Sequence, residues 1–211
     1  MCFHSKQTKL ALAVENRFQA TIEKMDLFQI QDESNGFTFP RNPIITDEKP
    51  TLIQHYNWGL IPSWSKDEDI KRLTLNARIE TIAEKPSFKN SIYKRCLVIA
   101  NGFYEWQWQD SKGKNKIKYE IGIGNDDLFA FAGIYSQWIN QLTGEIKDTY
   151  SIVTTQANTL MAEIHNTKQR MPVILKPEDE SKWLHHEPMA QFAFPYEVNL
   201  VAKNLDVRCR V

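Results

Sequence analysis

The clearest indication of the fold is CLVIANGFYEWQW, residues 96–108 near the middle of the chain. Apolar and aromatic side chains follow one another almost without interruption, which is typical of a buried β-strand. The pair Asn101-Gly102 interrupts the run, as turn-forming residues do. We therefore predict extended structure here, broken at that pair.

The sequence on either side of this stretch predicts more strands than helices. Residues 116–123 and 128–135 flank the turn residues 125–127, which predicts that they pair as an antiparallel hairpin. Other predicted strands cover 51–58, 149–154, 172–175, 198–202 and Val207, with loop and short strand at 36–47. Helical spacing or helix-start signals mark 8–18, 87–93, 157–165 and 177–183, the last beginning with Pro177 at its first position. Many strands joined by short turns favour an α+β fold with mostly antiparallel pairing over a doubly wound α/β fold.

Length and composition set the outer limits. The chain has 211 residues, of which 42% are hydrophobic and 25% charged, values typical of a globular protein. No linker interrupts the pattern, so we predict a single domain over residues 1–211. No apolar run approaches the roughly 18 residues of a membrane span. Three cysteines, Cys2, Cys96 and Cys209, without a C-x-x-C pair, fit a reducing cytoplasm.

Cofactor signals are missing from the sequence. It contains neither of the glycine-rich motifs that cradle nucleotide phosphates. Its cysteines and histidines lack the spacing of a zinc site. We therefore predict neither a cofactor nor a metal.

Charge is balanced overall but unevenly distributed. The whole chain has 26 basic and 26 acidic residues, yet residues 71–118 hold eleven Lys or Arg against four Asp or Glu, a local net charge of +7. This excludes a strongly basic nucleic-acid-binding chain but permits a positive groove that a phosphate backbone would contact. The alternative is that Lys112, Lys114, Lys116 and Lys118 only solvate a hairpin.

Cys2 carries the most distinctive chemistry because of its position. If Met1 is removed, Cys2 presents an α-amine and a thiol on adjacent carbons, with unperturbed pKa values of about 8 and about 8.5. An aldehyde condenses with such an amine to an imine, and the thiol closes on the imine to a five-membered thiazolidine. The alternative is an incidental cysteine near a terminus.

Two further residues are candidates for proton transfer. Glu105 is a carboxylate in an aromatic strand, where burial would raise its pKa toward neutrality. His165 ends a predicted helix and can exchange protons near pH 7. The alternatives are a solvated glutamate on an edge strand and a histidine that only completes a helix end.

A third group fits contacts with phosphates and bases. Asn76 and Arg78 lie on the same side of an extended segment, and Arg170 offers a second fork-shaped phosphate donor. Trp58, Trp64 and Trp106 offer rings on which bases stack. Core packing is the alternative for each tryptophan, and we favour it for Trp58.

In order along the chain, these residues lie in motifs that resemble one family, the SOS-response-associated peptidase (SRAP) family. The resemblance covers residues 2 to about 184. The motifs are Met1-Cys2, WGLIPSW at 58–64, NARIET at 76–81, Arg95-Cys96 leading to GFYEW at 102–106, AGIY at 132–135, TTQAN at 154–158, and Ile164-His165-Asn166 with RMPVIL at 170–175.

The resemblance implies a fold, an activity and a partner. The fold is a mostly antiparallel, barrel-like β core flanked by short helices. The activity is that of an abasic-site sensor, which crosslinks its N-terminal cysteine as a thiazolidine to the ring-opened sugar in single-stranded DNA, with self-cleavage of the N-terminal peptide as a thiol peptidase and a possible abasic-site lyase step. A monomer in the cytoplasm, on the nucleoid when bound to DNA, is expected.

The resemblance also implies a role for each candidate. Cys2 is the nucleophile, Glu105 the acid and base, His165 its proton-handling partner, and Asn76 orients the N-terminus. Arg78 and Arg170 contact phosphates. Trp64 and Trp106 stack beside the lesion, and His4 occupies a DNA-contacting position.

The chain departs from the family pattern at three places. Phe3-His4 replaces the usual Gly-Arg, Asn101 replaces an Asp, and Thr167-Lys168-Gln169 is inserted before Arg170. Two other functions use the same residues: an N-terminal-cysteine peptidase or amidase acting in trans, and a non-covalent binder of single-stranded DNA.

Overall fold

The computed structural model describes residues 2–206, which form a mostly β structure with three short helices. In chain order the elements are β1 His4–Gln7, α1 Ala11–Phe18, β2 Thr21–Ile22, β3 Gln31–Asn35, β4 Arg41–Thr46, β5 Leu52–Trp58, β6 Asn76–Arg78, β7 Arg95–Ala100, β8 Gly102–Trp108, β9 Lys116–Gly122, β10 Phe129–Ile139, β11 Ile146–Gln156, α2 Thr159–Ile164, β12 Arg170–Pro172, β13 Ile174–Leu175, α3 Pro177–Leu184 and β14 Val201–Asn204.

The larger sheet closes on itself. Strands β11, β10, β7, β4 and β5 pair in that order, all antiparallel, and β5 then pairs with β11 in parallel. The closing register matches Trp58 with Tyr150. Gly133 on β10 permits close approach to β7, because a Cβ there would lie 2.7 Å from the Cys96 Sγ atom. The predicted α+β class, mostly antiparallel pairing and barrel-like core are confirmed.

The smaller sheet places the N-terminal strand beside the GFYEW stretch. Its order is β14, β9, β8, β1 and β3, so β1 is flanked by β8 and β3. Phe103 and Ile121 of this sheet belong to the same apolar cluster as Val98 and Phe131 of the barrel. The two sheets therefore share a core.

The break in the central stretch falls where it is predicted. Asn101 separates β7 from β8, and its side chain is fully hydrogen-bonded. Its Oδ1 accepts from the Thr8 amide at 2.8 Å, and its Nδ2 donates to the Thr8 Oγ1 at 2.9 Å and to an Asp126 carboxylate oxygen at 2.7 Å. An aspartate here would have no donor for Asp126, which accounts for this departure from the family pattern.

The predicted hairpin between residues 116–123 and 128–135 is wrong. Strand β9 pairs with β8 and β14 in the smaller sheet, whereas β10 pairs with β7 and β11 in the barrel. The physical reason lies in burial: β10 is buried on both faces from Phe129 to Ser136, while β9 is half-exposed along most of its length. A strand buried on both faces belongs in a closed barrel, where layers cover it on each side.

Three of the four predicted helices are shorter than their patterns suggest. Helix α1 begins at Ala11 rather than residue 8, and the helix predicted at 87–93 is a single turn, Lys89–Ser91. Helix α3 does begin at Pro177. Strands β1 and β3 were not predicted because their sequences are polar. Val207 and Cys209 lie outside the described residues, and within residues 2–206 no helix is long and apolar enough to cross a membrane.

Candidate active site

The N-terminal segment is held by side chains and backbone from two directions. The Asn76 Nδ2 donates to the Cys2 carbonyl at 2.8 Å, and the Gly36 amide donates to the Phe3 carbonyl at 2.8 Å. Register with β8 then pairs His4 with Tyr104. Cys2 is therefore held at the start of β1, next to the middle of β8.

Cys2 is fully buried, with no exposed surface. Its side chain belongs to the apolar cluster that contains Phe103, Met161 and Ile164. Burial raises the pKa of the thiol well above its ordinary value, and the nearby Glu105 carboxylate raises it further. The thiol is therefore protonated at neutral pH, and a neighbouring base has to take its proton before it can act as a nucleophile.

Glu105 lies on β8, opposite Tyr119 of β9. Side chains alternate along a strand, so Glu105 and Phe103 project to the inner side while Tyr104 and Trp106 project to the other. Only 6% of Glu105 is exposed, and burial raises the pKa of its carboxyl to about 7. Near neutral pH this group is present in both protonation states, as a general acid and base requires.

His165 follows helix α2 directly. Asn158 caps the start of that helix through its Oδ1, which accepts from the Met161 amide at 2.9 Å. The His165 ring is mostly buried, and its Nδ1 accepts a hydrogen bond from the Arg170 amide at 3.1 Å. Burial lowers the pKa of His165 to about 4. At neutral pH the ring is uncharged, with its proton on Nε2.

The Asn166 side chain connects the segment after α2 to β8 through two hydrogen bonds. Its Oδ1 accepts from the Trp108 amide at 3.1 Å, and its Nδ2 donates to the Trp108 carbonyl at 2.9 Å. The side chain thus occupies the edge of β8 beyond the end of β1. The sequence offers one signal for this role, an amide residue directly after His165 in the motif, but only the fold shows its partner.

The three inserted residues form a turn that returns the chain to His165. The Gln169 amide donates to the His165 carbonyl at 2.9 Å, and Gln169 adopts a positive φ of 49°. This turn places the Arg170 amide on the His165 ring. The insertion therefore lies beside the site without separating Arg170 from it.

Asn76 and Arg78 lie on β6, which runs parallel to β11. Ala77 between them is buried, so both polar side chains project to the other side of the strand. The Asn76 Oδ1 is buried and lacks a hydrogen-bond partner within residues 2–206. Arg78 is exposed, and its guanidinium forms no ion pair with any other described residue.

The Arg170 side chain already forms an ion pair and a hydrogen bond within the protein. Its guanidinium binds both carboxylate oxygens of Glu80 at 2.8 Å and donates to the Thr154 carbonyl at 2.8 Å. Glu80 is a partner that the sequence analysis did not identify, although it lies in the same NARIET motif. A phosphate contact by Arg170 stays a prediction, and it would require the guanidinium to share or exchange this carboxylate.

Trp64 is exposed, and Trp106 and His4 are half-buried. Trp64 is 51% exposed, and its Nε1 donates to the Pro86 carbonyl at 3.3 Å. Trp106 is half-buried, with the His4 ring edge-on at 4.7 Å. The His4 Nδ1 lies 2.7 Å from a Glu33 carboxylate oxygen, yet burial leaves the pKa of His4 below its usual value.

The fold and the site together define a class: a closed β-barrel domain with a side sheet, organised around a buried cysteine at the start of its first strand. The SOS response associated peptidase (SRAP) family model matches residues 1–206. The chain belongs to this family, as the motifs predict.

Relatives and solved structures agree with that assignment. The chain is 46% identical over 143 residues to abasic site processing protein YoqW of Bacillus subtilis, covering 67% of this chain and 61% of that protein. It is 36% identical over 167 residues to abasic site processing protein HMCES of Mus musculus, covering 65% and 46%. A crystal structure of a Bacteroides thetaiotaomicron protein superposes with a TM-score of 0.87 at 39% identity, covering 96% of this chain and 91% of that one.

Proposed function

We propose that this chain processes abasic sites in single-stranded DNA by forming a covalent thiazolidine through Cys2. The observation that carries the proposal is a buried Cys2 beside a carboxyl whose pKa lies near 7, with the neutral His165 in the same region. The printed names of YoqW and HMCES support an abasic-site substrate. Because the alignments span 61% and 46% of those proteins, the proposal rests mainly on the chemistry of the site.

The first step opens the sugar. The closed abasic sugar is a hemiacetal, so its hydroxyl loses a proton, its ring C–O bond breaks, and the ring oxygen gains a proton. Glu105 supplies both functions, since its carboxyl exists as acid and as base near pH 7. The Nε2–H of His165 is a donor suited to the sugar hydroxyl.

The second step captures the aldehyde. The α-amine of Cys2, free once Met1 has left, condenses with the aldehyde to an imine and releases water. The thiol then adds to the imine carbon, forming a C–S bond, and its proton ends on the nitrogen. Glu105 is the nearby base for that proton. Asn76 holds the Cys2 carbonyl, which fixes the direction of the amine.

Removal of Met1 belongs to the same proposal as a thiol-peptidase step. The Cys2 thiol attacks the carbonyl carbon of the Met1–Cys2 peptide bond, which moves the acyl group to sulfur and frees the amine. Water then hydrolyses the thioester and restores the thiol. A lyase step would compete with capture, because an imine not yet closed by the thiol permits β-elimination of the adjacent phosphate.

The experiment uses single-stranded DNA with one abasic site, analysed on a denaturing gel after intact-mass measurement of the protein. We expect the protein without Met1 to shift the DNA covalently without a reductant. Cys2→Ser, prepared without Met1 so that its α-amine is free, lacks the thiol, so its imine should be trapped only when borohydride is added. A Cys2→Ala variant that still forms a stable adduct would refute the proposal.

The same assay separates the two alternatives. A peptidase acting in trans would turn over a peptide at a rate that DNA does not change. A non-covalent binder would leave no species on the denaturing gel. Absence of a covalent species, with or without peptide turnover and with protein of confirmed mass, would contradict covalent capture.

A further inference from the structure

The outer face of the smaller sheet, opposite the face from which Glu105 projects, carries a row of aromatic and cationic side chains. Trp106 pairs with Lys118 and Trp108 with Lys116 across β8 and β9. The Lys118 Nζ lies 5.2 Å from the centroid of the Trp106 ring, and the Lys116 Nζ lies 5.0 Å from that of Trp108. The row therefore extends from Trp106 to the tip of the β8–β9 hairpin.

An open cleft lies at the end of this row. It has a volume of about 460 Å³ and is lined by Trp108, Gln109, Asp110 and Ser111 of the hairpin, by Asn166, and by Thr167, the first residue of the inserted turn. Trp108 lies three residues beyond Glu105, about 10 Å along the strand. One wall of the cleft begins with Asn166, the residue after His165. The other wall begins with Trp108, on the strand that carries Glu105.

The hairpin tip is ordered by Asp110. Its Oδ1 accepts from the amides of Lys112 at 2.9 Å and Lys114 at 3.2 Å, and its Oδ2 accepts from that of Asn115 at 2.7 Å. Gly113 has a φ of 61°, and a Cβ there would lie 2.7 Å from the Trp108 indole, so only glycine lets the tip pack on the ring. The cleft is thus preformed.

The lysines at this tip are available to a ligand. Lys112, Lys114 and Lys116 are exposed, and none forms an ion pair with another residue of the described chain. Lys118 differs, because its Nζ lies 2.6 Å from Glu33. The Asp110 carboxylate is the acidic group of the tip, and backbone amides occupy both of its oxygens.

We propose that this cleft binds the nucleotides that flank the lesion on one side of the single strand, with Trp108 contacting a base and Lys112, Lys114 and Lys116 contacting phosphates. The proposal rests on the proposed function for its substrate and adds a binding surface to it. Alternating aromatic and cationic side chains suit a single strand, whose bases stack on rings while its phosphates meet ammonium groups. No base-specific contact is needed, so the surface fixes position without reading sequence.

The test uses reversible binding, so that it does not depend on crosslinking. The probe is a single strand with a tetrahydrofuran analogue of the abasic site, which has no aldehyde, extended by one to four nucleotides on either side. We expect extension on one side to increase the affinity measured by fluorescence anisotropy. Trp108→Ala should remove most of that gain, about a 5- to 100-fold loss.

A lysine variant keeps the test informative if Trp108→Ala unfolds. Lys112→Ala/Lys114→Ala should lower the slope of log K against log salt by about 1.4, because each phosphate contact contributes about 0.7 on a single strand. The matched control, Lys24→Ala/Lys182→Ala, removes the same charge from two exposed lysines outside the hairpin and should leave the slope unchanged.

The outcomes separate the two proposals. Suppose that wild-type protein crosslinks an authentic abasic strand, but all variants show the same dependence of affinity on strand length and the same salt slope. The cleft then does not bind DNA, and this inference is overturned. If nothing crosslinks while the hairpin variants still lose affinity for the analogue, covalent capture fails and the binding surface stands.

Discussion

Burial moves the pKa values of two groups of the candidate site in opposite directions. The carboxyl of Glu105 is raised to about 7 and the imidazole of His165 lowered to about 4. Both shifts have the same cause, since a low-dielectric surrounding disfavours the charged form of each group. Near pH 7 the site therefore contains a neutral histidine and a carboxyl poised between acid and base, a division of roles that catalysis by proton transfer exploits.

The Glu105 shift has a cost in stability that depends on pH. An acid with a raised pKa in the folded state loses stability as pH rises from its unfolded value, about 4.5, to its folded value, about 7. The loss amounts to about 3 kcal/mol at higher pH. We expect Glu105→Gln to be more thermostable than wild type at pH 8 and equal to it at pH 4, measured by thermal melts.

The control for this prediction is Glu84→Gln, which removes an exposed carboxylate. Its melting temperature should follow that of wild type at both pH values. If Glu105→Gln and wild type keep a constant difference from pH 4 to pH 8, Glu105 does not titrate in this range.

His4 replaces the arginine that the family pattern predicts. Its pKa lies below the usual value because burial outweighs the attraction of Glu33, which favours the neutral ring. We expect His4→Arg to strengthen reversible binding of single-stranded DNA at pH 7.5 and to raise the salt slope by about 0.7. The advantage should shrink as pH falls and His4 gains its proton. Equal slopes for both proteins at pH 7.5 would show that position 4 does not contact phosphate.

At the scale of elements, the site depends on a connection between α2 and β8. Helix α2 has only six residues, Thr159–Ile164, too few to be stable alone. Its end is held by Asn166, whose amide bonds both backbone groups of Trp108. A rigid sheet thus positions a short helix and the histidine that follows it.

We expect Asn166→Ala to slow covalent capture while lowering the free energy of unfolding only slightly. The lost hydrogen bonds are partly exposed, so the free energy of unfolding should fall by only about 1 to 2 kcal/mol. Amide exchange at Trp108 should accelerate, because its N–H loses its partner. Stability is measured by urea denaturation and capture by single-turnover gel assay. An unchanged capture rate together with accelerated exchange would show that this anchor does not position His165.

At the scale of the whole molecule, barrel closure brings the site together. Strand β11 pairs in parallel with both β5 and β6, so the WGLIPSW and NARIET motifs meet the barrel at one seam. Trp58 lies at that seam, fully buried, with its ring stacked on Tyr150 at 6.1 Å and its Nε1 donating to the Leu75 carbonyl at 2.8 Å. Core packing is therefore the observed role of Trp58, as favoured from sequence.

The tryptophans of one motif should therefore differ in their effect on stability. Trp58→Ala should lower the free energy of unfolding by about 3 to 5 kcal/mol, because it leaves a large cavity at the seam. Trp64→Ala, at the other end of the motif and half-exposed, should change it by no more than about 0.5 kcal/mol. Urea denaturation followed by circular dichroism measures both. Similar losses in the two variants would contradict the assignment of Trp58 to the seam and Trp64 to the surface.

Local sequence patterns predict most of the secondary structure and the candidate chemistry of this protein. Periodicity and turn residues located most strands and the break at Asn101, because these signals act within a few residues of the chain. The order of motifs indicated the family, which the family match confirms, and the positions of Cys2, Glu105 and His165 predict the reacting groups.

The pairing of strands and the contacts between distant side chains follow from the packing of the whole chain. Local pattern cannot tell whether β9 joins β10 or β8, since both partners are apolar, and the choice follows from where each strand is buried. Arg170 and its partner Glu80 are 90 positions apart, and Asn166 and its partner Trp108 are 58 positions apart. The cleft at Trp108 is likewise lined by separate elements. Contacts at such separation arise from packing of the whole chain, which no local preference encodes.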